Sequence, residues 1–233
     1  VSALSIPLAY FATRGEKTRR STTSTGLLNL KVIRNRTAGA FVLGYSLHAM
    51  ELYAVRVWLP GLLAAVLIAN GEGTTEATVK AATVGGIALA AGSVGPIIGG
   101  VISDRFGRAQ TAAAIFALSG LCSWVIGWAG GFTWPVVVGI TVVYGWAISA
   151  DSSIYSTAIT ESVNAEDLGS MMALQAFLGF MGGVVGPILV GGVLDIFPEH
   201  VEWKMAFSVV GLMAVFSVTV LLRAGNPPRT RNP

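Results

Sequence analysis

Six apolar stretches, each long enough to cross a lipid bilayer, most strongly limit how this chain can fold. A spanning helix needs about 20 apolar residues. Only 12% of the residues are charged and 53% are hydrophobic, whereas soluble domains carry roughly 25% charge. This proportion of charged residues provides too little polar surface to cover a water-soluble fold, so most of the chain should face lipid. The sequence therefore predicts an all-α, polytopic transmembrane helical bundle with spans at 38–69, 79–103, 109–129, 133–159, 168–195 and 203–223.

The basic residues that flank these stretches are strongly biased toward one side of the predicted membrane. Lys80 and Lys204 fall on the opposite side, and Arg56 lies within a span. The remaining basic residues fall together, at Arg14, Lys17, Arg19, Arg20, Lys31, Arg34, Arg36, Arg105, Arg108, Arg223, Arg229 and Arg231. Lys and Arg concentrate in cytoplasmic loops. We therefore expect a protein of a bacterial-type plasma membrane whose two ends both lie on the cytoplasmic side. The net charge of +3 follows from this bias and does not indicate nucleic-acid binding.

The segments outside the spans differ from them in composition. Residues 1–12 are apolar but too short to span, and we interpret them as the end of a truncated transmembrane helix; a Val start codon is the alternative. Residues 13–37 form a basic cytoplasmic linker beside membrane lipid, and residues 38–223 form the six-helix transmembrane domain. Residues 224–233 form a cytoplasmic tail.

Two short segments of the chain resemble each other. Residues 95–106 read GPIIGGVISDRF and residues 186–197 read GPILVGGVLDIF. One ends the second span and the other ends the fifth, so the copies have opposite orientations. This similarity predicts six spans arranged as a 3+3 inverted repeat, with chance similarity of glycine-rich segments as the alternative. Residues with a predicted packing or kinking role are Pro60, Gly95, Pro96, Gly99, Gly186, Pro187, Gly191 and Gly192.

A charged turn follows the second span. Residues 100–108 read GVISDRFGR, a Gly-x-x-x-Asp-Arg-x-Gly-Arg pattern. This pattern resembles the cytoplasmic loop motif of the major facilitator superfamily of secondary transporters, although Ala109 replaces the usual final basic residue. The basic segment before the first span resembles the central loop of that family. The resemblance covers nearly the whole chain and implies a C-terminal six-helix half, helices seven to twelve.

The same resemblance implies a role for Gly100, Asp104, Arg105, Gly107 and Arg108. In the family this loop acts as a latch that stabilises the outward-facing state, usually against the other six-helix half. Physically, Asp104 can cap the positive end of a neighbouring helix, and Gly107 permits a tight turn. The two arginines hold the loop on the cytoplasmic side. The alternative is that the loop only fixes the topology.

Three ionisable residues, His48, Glu51 and Arg56, lie within the first span. Each is costly in lipid, so each should face a cavity or a partner. His48 and Glu51 share a helix face because they are three residues apart. Glu51 and Arg56 lie about 140° apart around a regular helix. Pro60 removes the hydrogen bond that would use the Arg56 carbonyl, so an irregular helix is expected there.

The predicted roles of these residues define a candidate substrate and proton pathway. We expect Glu51 to be a proton or coupling site, Arg56 to anchor an anionic group and His48 to modulate Glu51. Tyr53 and Trp58 would shape the cavity. A buried ion-pair cluster that only holds the helices together is the alternative.

Two polar residues of later spans extend this pathway. Asp151, in the fourth span, is a candidate counter-charge for Arg56 or His48. Gln175, in the fifth, would donate into the cavity or form an interhelical hydrogen bond.

The function predicted from these features is that of a secondary active transporter, as a half or fragment. It would move a small solute by proton-coupled alternating access. The positive charge of Arg56 indicates an anionic solute. Its partner would be a missing N-terminal six-helix half or a second copy. The alternatives are a homodimeric transporter or channel, an inactive truncated product and an intramembrane hydrolase. The segment Ala117-Leu118-Ser119-Gly120 lacks the first glycine of a rhomboid-like nucleophile motif. The sequence also contains no Walker motif, nucleotide-binding loop or metal-ligand cluster, so we expect no enzyme, and no cofactor or metal site.

Overall fold

The computed structural model describes residues 34–227, and every regular element in that range is helical. A short 3₁₀ turn, Ala129–Gly131, follows the fourth α-helix. The α-helices in chain order are α1 (Arg36–Ala69), α2 (Thr74–Gly92), α3 (Gly95–Phe106), α4 (Arg108–Gly127), α5 (Trp134–Ala150), α6 (Ser152–Ser162), α7 (Ala165–Ile196) and α8 (Glu202–Ala224). The predicted truncated helix at 1–12, most of the basic linker and residues 228–233 of the tail lie outside the described residues.

These helices form six segments long and apolar enough to cross a membrane. Helices α2 and α3 together make the second, and α5 and α6 together make the fourth. The predicted all-α bundle with six spans is therefore confirmed. The second helix begins at Thr74, earlier than its apolar pattern indicated. Its polar first turn is stabilised by Glu76 near the positive helix end and by Lys80, whose Nζ lies 3.0 Å from carboxylate oxygens of Glu72 and Glu76.

The two Gly-Pro pairs have different consequences for their helices. The second span is interrupted at residues 93–94, and Gly95-Pro96 begins α3. Proline suits this position because the first helical amides have no intrahelical partner. In the fifth span, α7 continues through Pro187, as α1 continues through Pro60. The helix break therefore occurs in the second span and not in the fifth.

The spans pack in a pattern of paired helices. The main pairs are the first with the fifth, the third with the sixth and the second with the fourth. Glycines allow two of these pairs to approach closely. A methyl group added at Gly186 would lie against the backbone of Met50, and one added at Gly99 would lie against the backbone of Ala150. The backbones of α7 and α1, and of α3 and α5, are therefore in direct contact.

The bundle core is divided into two apolar clusters. One surrounds Leu63, Ile126 and Phe207, and the other surrounds Phe41 and Tyr155. The second and fifth spans contribute least to this core, since only 22% of the most apolar window of each is buried. Their large apolar side chains remain exposed, among them Ile97, Val101, Phe177, Phe180 and Ile188.

Candidate functional site

Glu51 is fully buried in the bundle, at 0% exposure, and two hydroxyl groups bind its carboxylate. Tyr144 on α5 donates to Oε1 at 3.1 Å. Ser119 on α4 donates to Oε2 at 3.0 Å. A buried carboxylate is tolerated only where hydrogen bonds replace its hydration. This carboxylate therefore joins the first, third and fourth spans.

His48 lies one turn away on α1 and forms a second polar cluster with the fourth span. Its Nδ1 is 2.9 Å from Oδ1 of Asp151, and its Nε2 is 3.0 Å from Oγ of Ser152. Tyr155 donates to the other oxygen of Asp151 at 2.8 Å. The facing atoms Nδ1 and Oδ1 are in close contact but do not meet the geometry of a hydrogen bond, and neither has another partner among residues 34–227. Of the two predicted counter-charge pairings for Asp151, the structure shows the one with His48.

The position of Asp151 results from an interruption of the fourth span. Asp151 separates α5 from α6, with φ −90° and ψ −9°. Short polar side chains favour helix ends because they compete with the backbone for hydrogen bonds. The ionisable side chain therefore lies where the helix is interrupted.

Arg56 is exposed and lies apart from both clusters. Its guanidinium carbon is 5.8 Å from the centroid of the Tyr53 ring. Among residues 34–227, no carboxylate oxygen lies within 4.0 Å of its nitrogens. Arg56 borders a cleft of about 310 Å³ between α1, α2 and α5. We call this the Arg56 cleft.

Trp58 and Gln175 make contacts between helices. The indole nitrogen of Trp58 donates to the carbonyl of Pro187 at 2.9 Å, and its ring lies edge-on to Trp203. Gln175 is buried and donates to Oγ of Ser156 at 2.9 Å. Of the two predictions for Gln175, this contact matches the interhelical hydrogen bond.

The loop after the second span is held by a network around Arg108. Its Nη2 is 2.8 Å from Oε1 of Glu161, and its Nε is 3.2 Å from Oε2. Arg108 also binds the carboxylate of Asp104 and the hydroxyl of Ser103. Gly107 makes the turn with φ +99°, a conformation that glycine adopts without steric cost.

The tail residue Asn226 also binds this loop. The amide of Ala109 at the start of α4 donates to Oδ1 of Asn226 at 2.9 Å, so Asn226 caps this helix. Sequence reasoning gave neither Asn226 nor Glu161 a role at the loop. An acidic residue ending a span on the side of the loop was an available signal for Glu161, whereas a lone tail asparagine offers none.

Comparison with known proteins places this arrangement in a family. The family model of the Major Facilitator Superfamily matches residues 41–233. The chain belongs to the Major Facilitator Superfamily. This is a superfamily of transporters and not of enzymes, so the hydrolase alternative is excluded, and the chain is an integral membrane protein.

Two relatives of the chain are named as transporters. One, named Probable transporter SCO4007, from Streptomyces coelicolor, is 29% identical over 155 residues, covering 66% of this chain and 34% of the relative. A gallate transporter from Pseudomonas putida is 26% identical over 187 residues, covering 80% and 39%. The chain therefore spans less than half the length of either relative.

Solved structures of transporters share the fold. The proton:xylose symporter XylE bound to 6-bromo-6-deoxy-D-glucose superposes with a TM-score of 0.70 at 18% identity, over 86% of this chain and 46% of that one. An auto-inhibited peptide transporter of the POT family superposes with a TM-score of 0.67 at 14% identity, over 85% and 39%. At these identities the likeness establishes the fold alone.

Proposed function

We propose that this chain is the C-terminal six-helix half of a secondary active transporter that moves a small solute by proton-coupled alternating access. The observation that carries the proposal is the buried Glu51 carboxylate, held by Ser119 and Tyr144 and one turn from His48. Charged groups inside a membrane are costly and mark ion or proton pathways more often than packing sites. Glu51, His48 and Asp151 are three ionisable groups buried within one bundle, and their presence supports a coupling role.

The connection of Glu51 to three spans gives protonation a structural effect. The ionised carboxylate accepts from hydroxyls on α4 and α5. When the carboxyl is protonated, one of its two oxygens becomes a donor, so the hydroxyl bound to that oxygen must turn to accept while the other oxygen can still accept. Protonation would thereby change how α1 is held against the other two helices, as coupling to transport requires.

The packing pattern supports the proposed 3+3 inverted repeat and, with it, alternating access. Exchanging the first span with the fourth, the second with the fifth and the third with the sixth converts the set of main helix pairs into itself. The Gly-Pro segments follow the same relation. Gly95 contacts the backbone of the fourth span, and Gly186 contacts the backbone of the first. Inverted repeats in transporters rock against each other around a central site.

The Arg108 network supports the proposed latch. It connects the end of the second span, the start of the third and the end of the fourth through Asp104, Arg108 and Glu161. A change in the angle between these spans would have to break the bidentate pair of Arg108 with Glu161. The same end of the bundle carries Arg105 and Arg223, so we propose that it faces the cytoplasm, together with both ends of the chain.

A small organic anion is the solute that we propose. Arg56 supplies a cation without a carboxylate partner among residues 34–227, and one relative of the chain is named a gallate transporter. The rest of the central cavity would come from an N-terminal six-helix half or from a second copy of the chain. The membrane that we propose for the transporter is a bacterial-type plasma membrane.

Transport by the full-length protein in proteoliposomes tests the proposal. Gallate uptake and internal pH would be followed under an imposed pH gradient. We expect Glu51→Gln to abolish gradient-driven accumulation while exchange between internal and external gallate continues. Glu199→Gln, an acid outside the spans, is the matched control and should behave as the unmodified protein. Undiminished gradient-driven accumulation in the Glu51→Gln variant would remove Glu51 from the coupling step.

A further inference from the structure

We propose that the Arg56 cleft binds a monocarboxylate with a flat apolar body, such as an aromatic acid. This inference rests on the proposed function and names the substrate class of the same pathway. It places the carboxylate on the Arg56 guanidinium and the apolar body between α1, α2 and α5.

Most residues that line the cleft are apolar or glycine. Helix α1 contributes Leu52, Val55 and Leu59, and α2 contributes Gly85 and Gly86 on the opposite wall. Two neighbouring glycines leave the α2 backbone bare, so this wall is flat. Ligand pockets are usually about 300 Å³ or larger, and the volume of about 310 Å³ is at the small end of that range. The cleft therefore suits one compact ring better than an extended solute.

The glycine wall borders open space and is not used for helix packing. A methyl group added at Gly86 would meet no atom within 4 Å, and one added at Gly85 would meet only Cγ of Pro60, at 3.5 Å. Gly145, by contrast, lies directly against the backbone of Ala88 on α2. The space at Gly85 and Gly86 is therefore available to a solute.

The charge in the cleft selects the polar group of the solute. Arg56 and Ser149 are the polar side chains that line it. The guanidinium fork matches a carboxylate in two parallel hydrogen bonds. One cation can neutralise one carboxylate, so a dicarboxylate would place its second charge against apolar walls.

A second cleft beside the His48–Asp151 pair shares one lining residue with the Arg56 cleft. His48, Leu52 and Arg56 are spaced four residues apart and form one stripe along α1. Leu52 lines the Arg56 cleft and also a second cleft of about 200 Å³, which His48 and Ser152 border. The stripe is about 12 Å long at 1.5 Å per residue. A solute on Arg56 therefore lies on the same helix face as the His48–Asp151 pair.

Equilibrium binding to the full-length protein in detergent tests this inference without requiring transport. The probe is benzoate, with benzyl alcohol as its uncharged counterpart. We expect benzoate to bind at least about 10-fold more tightly than benzyl alcohol, since hydrogen bonds to charged groups are the stronger class. Arg56→Gln should weaken benzoate binding about 10- to 100-fold, and Arg56→Lys should weaken it less. Gly86→Ala should weaken it by filling the cleft without a clash.

The matched control is Gly139→Ala, at another glycine where an added methyl meets no atom within 4 Å. It should bind benzoate as the unmodified protein does. Circular dichroism and gel filtration would confirm that each variant is folded. Equal affinity for benzoate and benzyl alcohol, or an Arg56→Gln variant that binds benzoate normally, would overturn the inference.

Two outcomes separate this inference from the proposed function. Arg56-dependent benzoate binding without gradient-driven transport would keep the site and refute the transport mechanism. Gradient-driven uptake of another solute, with no Arg56-dependent benzoate binding, would refute the site and keep the mechanism.

Discussion

Nδ1 of His48 and Oδ1 of Asp151 lie 2.9 Å apart, although the two residues belong to different spans. Both side chains are nearly inaccessible, at 3% and 2% exposure. Ser152 and Tyr155 bind the outer atoms of the pair, whereas the facing Nδ1 and Oδ1 have no hydrogen-bond partner among residues 34–227 besides their contact with each other. The pair thus links the middle of α1 to the interruption of the fourth span.

We expect His48 and Asp151 to be energetically coupled. Removing one partner leaves the other buried polar group uncompensated, which costs about 1–3 kcal/mol and more where that group is charged. His48→Gln and Asp151→Asn should each lower the melting temperature in detergent, and the double variant should be less destabilised than the sum of the two. Asp195→Asn, at an exposed position near the end of α7, is the control. Additive effects within about 0.5 kcal/mol would show that the pair is not coupled.

Gly99 and Gly100 should respond differently to the same substitution. A methyl at Gly99 would collide with the backbone of Ala150, whereas at Gly100 the nearest atom is Oγ of Ser153 at 3.7 Å. Overpacking costs about 1–3 kcal/mol, so Gly99→Ala should lower the melting temperature and Gly100→Ala should leave it nearly unchanged. Equal stability of the two variants would contradict the close approach of α3 and α5.

Replacing Arg108 by lysine should weaken the loop even though the charge is kept. Lysine cannot form the two parallel hydrogen bonds that Arg108 makes with Glu161. Because the pair is partly exposed, we expect a loss of about 1 kcal/mol, measured by thermal unfolding of Arg108→Lys in the presence and absence of Glu161→Gln. Arg105→Lys is the control. Arg105 is exposed, and its contact is with the ring of Phe106 and not with Glu161. A Glu161→Gln background that does not reduce the effect of Arg108→Lys would rule out the pair as its cause.

Asn226→Ala should loosen the start of α4. Loss of a helix cap costs about 1 kcal/mol, so amide hydrogen exchange at Ala109 and Gln110 should accelerate roughly 5-fold. Asn226→Asp keeps the accepting oxygen and should largely preserve protection. Asn164→Ala is the matched control, since Asn164 precedes α7 but makes no side-chain cap. Unchanged exchange in Asn226→Ala would mean that water replaces the cap.

The sequence indicates the spans, the turn at Gly107 and the polar residues of the first span, because these depend on local composition. An apolar run long enough to span has few alternative structures, and a buried charge is conspicuous in any apolar run. The start of α2 at Thr74 was missed because its first turn is stabilised by Glu72, Glu76 and Lys80, which apolar periodicity does not detect.

The partners of those residues could not be predicted because they depend on which spans become neighbours. Glu51 binds Ser119 and Tyr144 since α1 packs near α4 and α5 in the folded bundle. The choice of His48 for Asp151, and of Glu161 for Arg108, likewise follows from the packing order. No spacing along the chain encodes these pairs, so sequence reasoning left the first open and missed the second.

The pairing of distant spans also determines the order of events during synthesis. The first span packs mainly against the fifth and the third against the sixth, so neither can find its main partner as it leaves the ribosome. Glu51 is synthesised before the helices that carry Ser119 and Tyr144, so its carboxylate cannot form these two hydrogen bonds until both helices are present. The packing of this bundle is therefore completed only after the last span has been made, whatever the order in which the helices enter the membrane.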